Sequence, residues 1–167
     1  MLKVYLAGGT VSGWQRTIMD NFVKAGLADK VDFYNPSDFE VGSVQYPAPA
    51  MYAPINKLKI EQCDFVFAFL EASNPTPINT ALEVGYALAL GKKVLFCHEW
   101  TQKIMDNGYL KTLFTDQEGA VGTWFKPHYL AQILNWCDFV ETDFGIAIEL
   151  FKKVVEYEID ERSPVTF

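Results

Sequence analysis

The sequence is short of the residues that metal and redox sites need. Its 167 residues include only two histidines and three cysteines. Cys63, Cys97 and Cys137 stand far apart, lack metal-ligand spacing and are odd in number, which reads as reduced thiols in a cytoplasmic protein. No metal site is expected. A surplus of positive charge is missing too: 14 Lys and Arg against 21 Asp and Glu give a formal net charge of −7. That balance argues against a nucleic-acid polymer as partner and leaves a small molecule. No apolar run is long enough to span a bilayer, and the opening MLKVYLAGGT lacks signal-peptide architecture, so no membrane partner is expected. Repeats and low-complexity tracts are missing as well. Gly8, Gly9 and Gly13 do not fit G-x-G-x-x-G, and there is no Walker lysine, which excludes the standard dinucleotide and P-loop signatures.

What the chain has is apolar residues, half of the total, spread evenly along a length that suits one domain over 1–167. They are organised around Asp64 to Phe96. Phe65 to Leu70 is an apolar run, Ala72 to Pro77 is turn-rich, a helical segment follows, and Val94 to Phe96 is apolar again. Strand, loop, helix and strand at this spacing make a βαβ unit with parallel strands. Both runs are continuously apolar, so they belong in a sheet covered on both faces. Small residues in the helix (Ala81, Gly85, Ala87, Ala89, then Gly91) are expected to let it lie close to that sheet.

Ahead of this unit, Lys3 to Ala7 reads as a strand ending on Gly8, Gly9 and Thr10. Trp14, Ile18, Phe22 and Ala25 recur at helical spacing, with Gln15, Arg16, Asp20 and Lys24 on the other face and Gly26 as a stop. The glycine turn suits backbone N–H groups that hold an anion or hydroxyl, and suits equally a tight βα turn that merely needs glycine. Trp14 can stack on a base, but its place in the helical repeat favours core packing. Val31 to Tyr34 is a second strand stopped by Asn35-Pro36. The irregular stretch 37–53, with Phe39, Tyr46 and Tyr52, has the length of a lid or binding loop. Pro54 to Gln62 is a short helix with Ile55 and Leu58 inward. Beyond Phe96, Thr101 to Phe114 reads as helix, Ala120 to Phe125 as strand and Tyr129 to Trp136 as helix. Asp143 to Ile159 is amphipathic, with Phe144, Ile148, Phe151, Val155 and Ile159 on one face and a Glu149–Lys153 pair on the other.

The residue that matters chemically is Glu83. In open α/β sheets ligands bind beyond the carboxyl ends of the strands, where the N-terminal turns of its helix lie. One reading is a capping box, Thr80-Ala81-Leu82-Glu83, with Glu83 reaching back to an N-cap amide. The other is a carboxylate nucleophile, held ionised by the helix dipole and able to trap a sugar C1′ as a covalent ester. Asp64 opens a strand at the opposite end of the sheet and reads as structural. His98, at the carboxyl end of a strand, could reach a ligand but reads rather as exposed or capping; His128 has no visible partner. Arg16 and Arg162 are the only arginines, and Arg16, at the head of the first helix, suits a 5′-phosphate.

Tyr5 to Gly9 (YLAGG), Asp64 to Leu70 and Thr80 to Lys92 (TALEVGYALALGK) resemble the nucleoside 2-deoxyribosyltransferase family, over roughly the first hundred residues. The resemblance implies a flavodoxin-like, Rossmann-like three-layer α/β sandwich with a five-stranded parallel sheet in the order 2-1-3-4-5. It also implies base exchange on 2′-deoxynucleosides or, in relatives, hydrolysis of nucleoside monophosphates, with no metal or cofactor. Carried over, Glu83 matches the nucleophile and Tyr5 the aromatic beside it; Gly8 and Gly9 match the loop near the sugar, and Thr10 ends that turn. Two departures stand out. Asn79 replaces the family's glycine four residues before the glutamate, and Asn56 falls where the family has a second acid. Asparagine binds a base edge or a sugar but moves no proton. Asn79 and Thr80, with the glycine turn, are expected to hold the sugar. The rivals are a non-catalytic nucleotide sensor using the same pocket, which Asn56 favours, and an FMN-binding flavodoxin relative, which the lack of a Ser/Thr-rich phosphate loop disfavours. A homo-oligomer is also expected. The resemblance implies sites completed by a neighbouring subunit, and Tyr46 to Tyr52, Trp124 with Phe125, and Val165 to Phe167 carry more apolar surface than one small domain hides easily.

Overall fold

The computed structural model describes residues 1–10, 12–39, 52–71, 78–99 and 135–162. The described elements run β1 (Leu2–Gly8), α1 (Trp14–Lys24), β2 (Val31–Tyr34), a 3-10 turn (Pro36–Phe39), α2 (Tyr52–Gln62), β3 (Phe65–Leu70), α3 (Ile78–Ala89), β4 (Lys93–His98), β5 (Phe139–Glu141) and α4 (Phe144–Arg162). The strands form one sheet in the order β2-β1-β3-β4-β5 with every neighbouring pair parallel. This is the expected order and class.

Side chains alternate across the sheet because successive residues of a strand point to opposite faces. Leu2, Val4 and Leu6 of β1, Phe65, Phe67 and Phe69 of β3, and Leu95 and Cys97 of β4 meet Trp14, Ile18 and Phe22 of α1 and Ala147, Ile148, Phe151 and Val155 of α4. Tyr5, Ala7, Val66, Ala68, Leu70, Val94 and Phe96 face the other way, onto Ile60 of α2 and Val84 and Ala87 of α3. The run from Phe65 to Leu70 is buried throughout, which accounts for its lack of alternation.

Five expectations are corrected by the packing. Gln15 is fully buried rather than outward, and on α2 Leu58 is exposed while Ile60 is the buried residue. On α3 the sheet-facing residues are Thr80, Val84 and Ala87; Ala81, Gly85 and Ala89 face solvent. On α4, Glu149 pairs with Lys152 at 2.7 Å rather than with Lys153, one residue closer along the helix. His98, read as exposed, is buried at the end of β4. The readings over 101–134, including the Ala120 to Phe125 strand, lie outside the described residues, as does most of the 37–53 stretch.

The fifth strand, Phe139–Glu141, escaped the sequence reading because three residues are too short for any period. A signal was present: Cys63-Asp64-Phe65-Val66 recurs as Cys137-Asp138-Phe139-Val140. The aspartate does the same job in both copies. Asp64 Oδ2 accepts the Lys3 N–H at 2.9 Å, tying the start of β3 to β1. Asp138 Oδ2 accepts the Val94 N–H at 2.8 Å, tying β5 to β4. Asp64 is structural, as read. At the same end of the sheet Lys92 Nζ donates to the carbonyls of Glu61 and Cys63 at 2.8 and 2.7 Å. These carbonyls lie at the end of α2, where the helix supplies no partner and a cation is favoured.

Candidate active site

Tyr5 points to the α2–α3 side of the sheet, and its register partner on β2 is Tyr34. The two rings therefore stack, with centroids 5.4 Å apart and planes 21° from parallel. Above them α3 presents Glu83 and α2 presents Asn56. The Tyr5 hydroxyl donates to Glu83 Oε1 at 2.7 Å, and Asn56 Nδ2 donates to the same oxygen at 3.3 Å. The Tyr34 hydroxyl donates to Asn56 Oδ1 at 3.3 Å. Four side chains from four elements thus form one connected polar group on an otherwise apolar face.

Burial governs the electrostatics. The Glu83 carboxyl is pushed up to about 7 by desolvation, against the hydrogen bonds from Tyr5 and Asn56 that pull it down. Tyr5 is raised far above its usual range, first by burial and then by the neighbouring Glu83 charge. Helix α3 begins at Ile78, so Glu83 lies beyond the first turn, where the N-terminal dipole is strongest. The capping-box reading fails for the same reason: Thr80 is already inside the helix and buried, and Glu83 Oε1 is engaged by Tyr5 and Asn56. Burial and the two donors thus act on the carboxyl in opposite directions, and burial prevails.

A family model described as Nucleoside 2-deoxyribosyltransferase matches residues 4–163. The chain belongs to the nucleoside 2-deoxyribosyltransferase family. The match extends well past the stretch that carries the resemblance in sequence. The family is one of pentosyltransferases that act on small nucleosides or nucleotides, so the protein is an enzyme of that kind. No protein with a curated description matches it in sequence. Among solved structures it is similar to a 2-deoxyribosyltransferase from Leishmania mexicana, at 23% identity and a TM-score of 0.61, covering 94% of this chain and 99% of that one. It is also similar to the CMP N-glycosidase BcmB from Clostridium botulinum, at 13% identity and a TM-score of 0.51, covering 91% and 98%. Those likenesses show the shared fold.

Of the residues singled out in sequence by family resemblance, the structure brings together Glu83, Tyr5 and Asn56. Gly8 belongs to the close packing at the end of β1: a Cβ there would meet the Phe69 carbonyl oxygen and the Trp14 ring, each at 2.7 Å. The Gly9 carbonyl accepts from Trp14 Nε1 at 2.8 Å and Gln15 Nε2 at 2.9 Å, so it faces α1. Trp14 is buried against Phe67, Phe69 and Phe144, as the core reading expected. Thr10 is half-buried in the turn, Asn79 is exposed one helical turn before Glu83, and Thr80 packs toward the sheet. Arg16 is exposed and paired with Asp38 at 2.6 Å. Asp38 is fixed by Asn35, whose Nδ2 donates to it at 3.2 Å. Two residues were missed. Tyr34 could have been found from its place as the last residue of β2, level with Tyr5. Gln15 carried no such signal, because its neighbours suggested an exposed face. Among the described residues no cluster of His, Cys, Asp and Glu could hold a metal, and no helix is long and apolar enough to cross a membrane.

Proposed function

We propose that this enzyme cleaves the N-glycosidic bond of a (deoxy)nucleoside or nucleotide with Glu83 as nucleophile. A carboxylate oxygen of Glu83 bonds to C1′ as the C1′–N bond breaks, and the bonding pair leaves with the base. A second base or water then attacks C1′ and returns Glu83 to the carboxylate. Tyr5 orients Glu83, and Asn56 helps to keep it ionised despite its burial. Asn56 cannot protonate the departing base, so that proton comes from another group or from water. Thr10 and Asn79 face the sugar, with Gly8, Gly9 and Thr80 shaping the backbone behind them, and Arg16 takes a 5′-phosphate where the substrate carries one, exchanging its surface pair with Asp38 for the ligand. No cofactor takes part.

The observation that carries this reading is the convergence of Tyr5 and Asn56 on one oxygen of a partly buried carboxylate. Incubation with a 2′-deoxynucleoside and a second free base tests it: the exchanged nucleoside is the expected product, and free deoxyribose marks the hydrolase branch. Undiminished base release by Glu83→Ala contradicts the covalent mechanism. Tight nucleotide binding with neither product supports the sensor instead, which Asn56 at the position of an acid favours.

The functional unit in this reading is a cytoplasmic homo-oligomer built from single-domain chains. Ile78 and Leu82, one turn apart on α3 and 70% and 66% exposed, support it by placing an apolar stripe beside Glu83. The segments named for it in sequence lie outside the described residues, apart from the backbone of Tyr52. Light scattering at micromolar concentration decides the matter; a mass near the 18.9 kDa of one chain rejects the oligomer.

A further inference from the structure

The Asn56 amide can present either end to Glu83. With Nδ2 toward the carboxylate it donates a hydrogen bond. Turned over, it would set an acceptor oxygen against an acceptor oxygen, an arrangement compatible only with a protonated Glu83. The Tyr34 hydroxyl, 3.3 Å from Oδ1, braces the first arrangement by donating to that oxygen, while the ionised carboxylate disfavours the second. Tyr34 is itself held by its place opposite Tyr5 on the β1–β2 ladder, by the ring stack, and by Lys59 Nζ lying 5.3 Å from its ring centroid. Among the described residues both donors to Glu83 meet Oε1, and Oε2 receives none.

We propose that Tyr34 is a positioning residue for glycosyl transfer: through Asn56 it holds Glu83 with Oε1 occupied and leaves Oε2 as the oxygen that attacks C1′. This rests on the function proposed above and adds a residue to it. The groups that set the carboxyl are its burial, Tyr5 from β1 and Asn56 from α2. Cys63, which acts on Tyr5, has its thiol pushed up to about 11 by burial and stays neutral in the working range. Among the described residues, Lys59 also lies beside the tyrosine pair, over the Tyr34 ring.

Tyr34→Phe keeps the ring and its stack and removes only the hydroxyl. The acid limb of kcat/KM against pH is expected to move upward by about one pH unit, costing roughly tenfold near pH 6 and little above pH 8. In an Asn56→Ala background the same change should shift the limb no further, because the link through which Tyr34 acts is already gone. A loss by one constant factor at every pH, or a full extra shift in that background, overturns the proposal. The Glu83 carboxyl is titrated in parallel by 13C NMR, assigned with Glu83→Gln. A titration that moves in Tyr34→Phe sustains the relay even if no nucleoside is turned over, and an unmoved one overturns the relay whatever the activity.

Discussion

The two faces of the sheet are built from different materials. On the α1–α4 side, Phe65, Phe67 and Phe69 pack with Phe22, Phe151, Phe144 and Trp14 in a network of stacked and edge-on rings. On the α2–α3 side the strands offer mostly smaller residues, Ala7, Val66, Ala68, Leu70 and Val94 beside Phe96, and the helices answer with Ile60, Val84 and Ala87. One strand supplies both textures, since β3 alternates Phe with Val, Ala and Leu. Large rings fill volume and bury area at roughly 1.5–3 kcal/mol per side chain. Small residues leave room, and in that room Tyr5, Tyr34, Asn56 and Glu83 meet. The contrast teaches that stability and chemistry are divided between faces, so that the buried carboxylate is supported by the packing opposite.

The largest test of that division is Phe151→Ala. Phe151 touches Phe22, Phe33, Phe65 and Phe67, and its removal should cost about 3–5 kcal/mol in denaturant unfolding. The molecules that remain folded should keep their activity. A loss of activity well beyond the loss of folded protein would break the comparison.

The next effect concerns Glu83 itself. Burial raises its carboxyl from the reference 4.5 to about 7, so the folded chain binds that proton more tightly than the unfolded one. The stability this gives is complete below about pH 4.5 and is lost as pH rises through 7. Glu83→Gln should therefore be more stable than the natural chain at pH 8, by about 2 kcal/mol once water at the half-buried carboxyl is allowed for, and by little at pH 4.5. Equal stability of the two proteins at pH 8 would mean that the site face carries no electrostatic strain.

The smallest effect lies at the sheet end remote from the site. Asp138→Ala removes the tie to Val94 and should cost about 1 kcal/mol with no change in kcat. A change in kcat would show that the strand starts are coupled to the chemistry.

The fold was legible wherever a period was long enough to read. Val31–Tyr34 and Phe65–Leu70 match their expected bounds, and α4 shows its apolar stripe over several turns. Three-residue β5 offered no period and was readable only through the repeated Cys-Asp-Phe-Val. Glu83, Tyr5 and Asn56 were found through the family-like segments, and β1 and α3 do carry Tyr5 and Glu83 to one place. Tyr34 was not found, because its role depends on register across β1 and β2, and no local pattern encodes register. Gln15 and Leu58 were misplaced for a related reason. Local polarity gave the wrong face, and the tight turn and helix packing decided otherwise.

The central claim is that Glu83 becomes bonded to the sugar. Rapid-quench mass spectrometry of the intact enzyme mixed with a 2′-deoxynucleoside, followed by peptide mapping, tests it most directly. The account predicts a gain of one deoxyribosyl group on the peptide containing Glu83, discharged on adding a second base or on standing in water, and absent in Glu83→Gln. Base release by the natural enzyme with no adduct at any time, or an adduct that persists in Glu83→Gln, would contradict it.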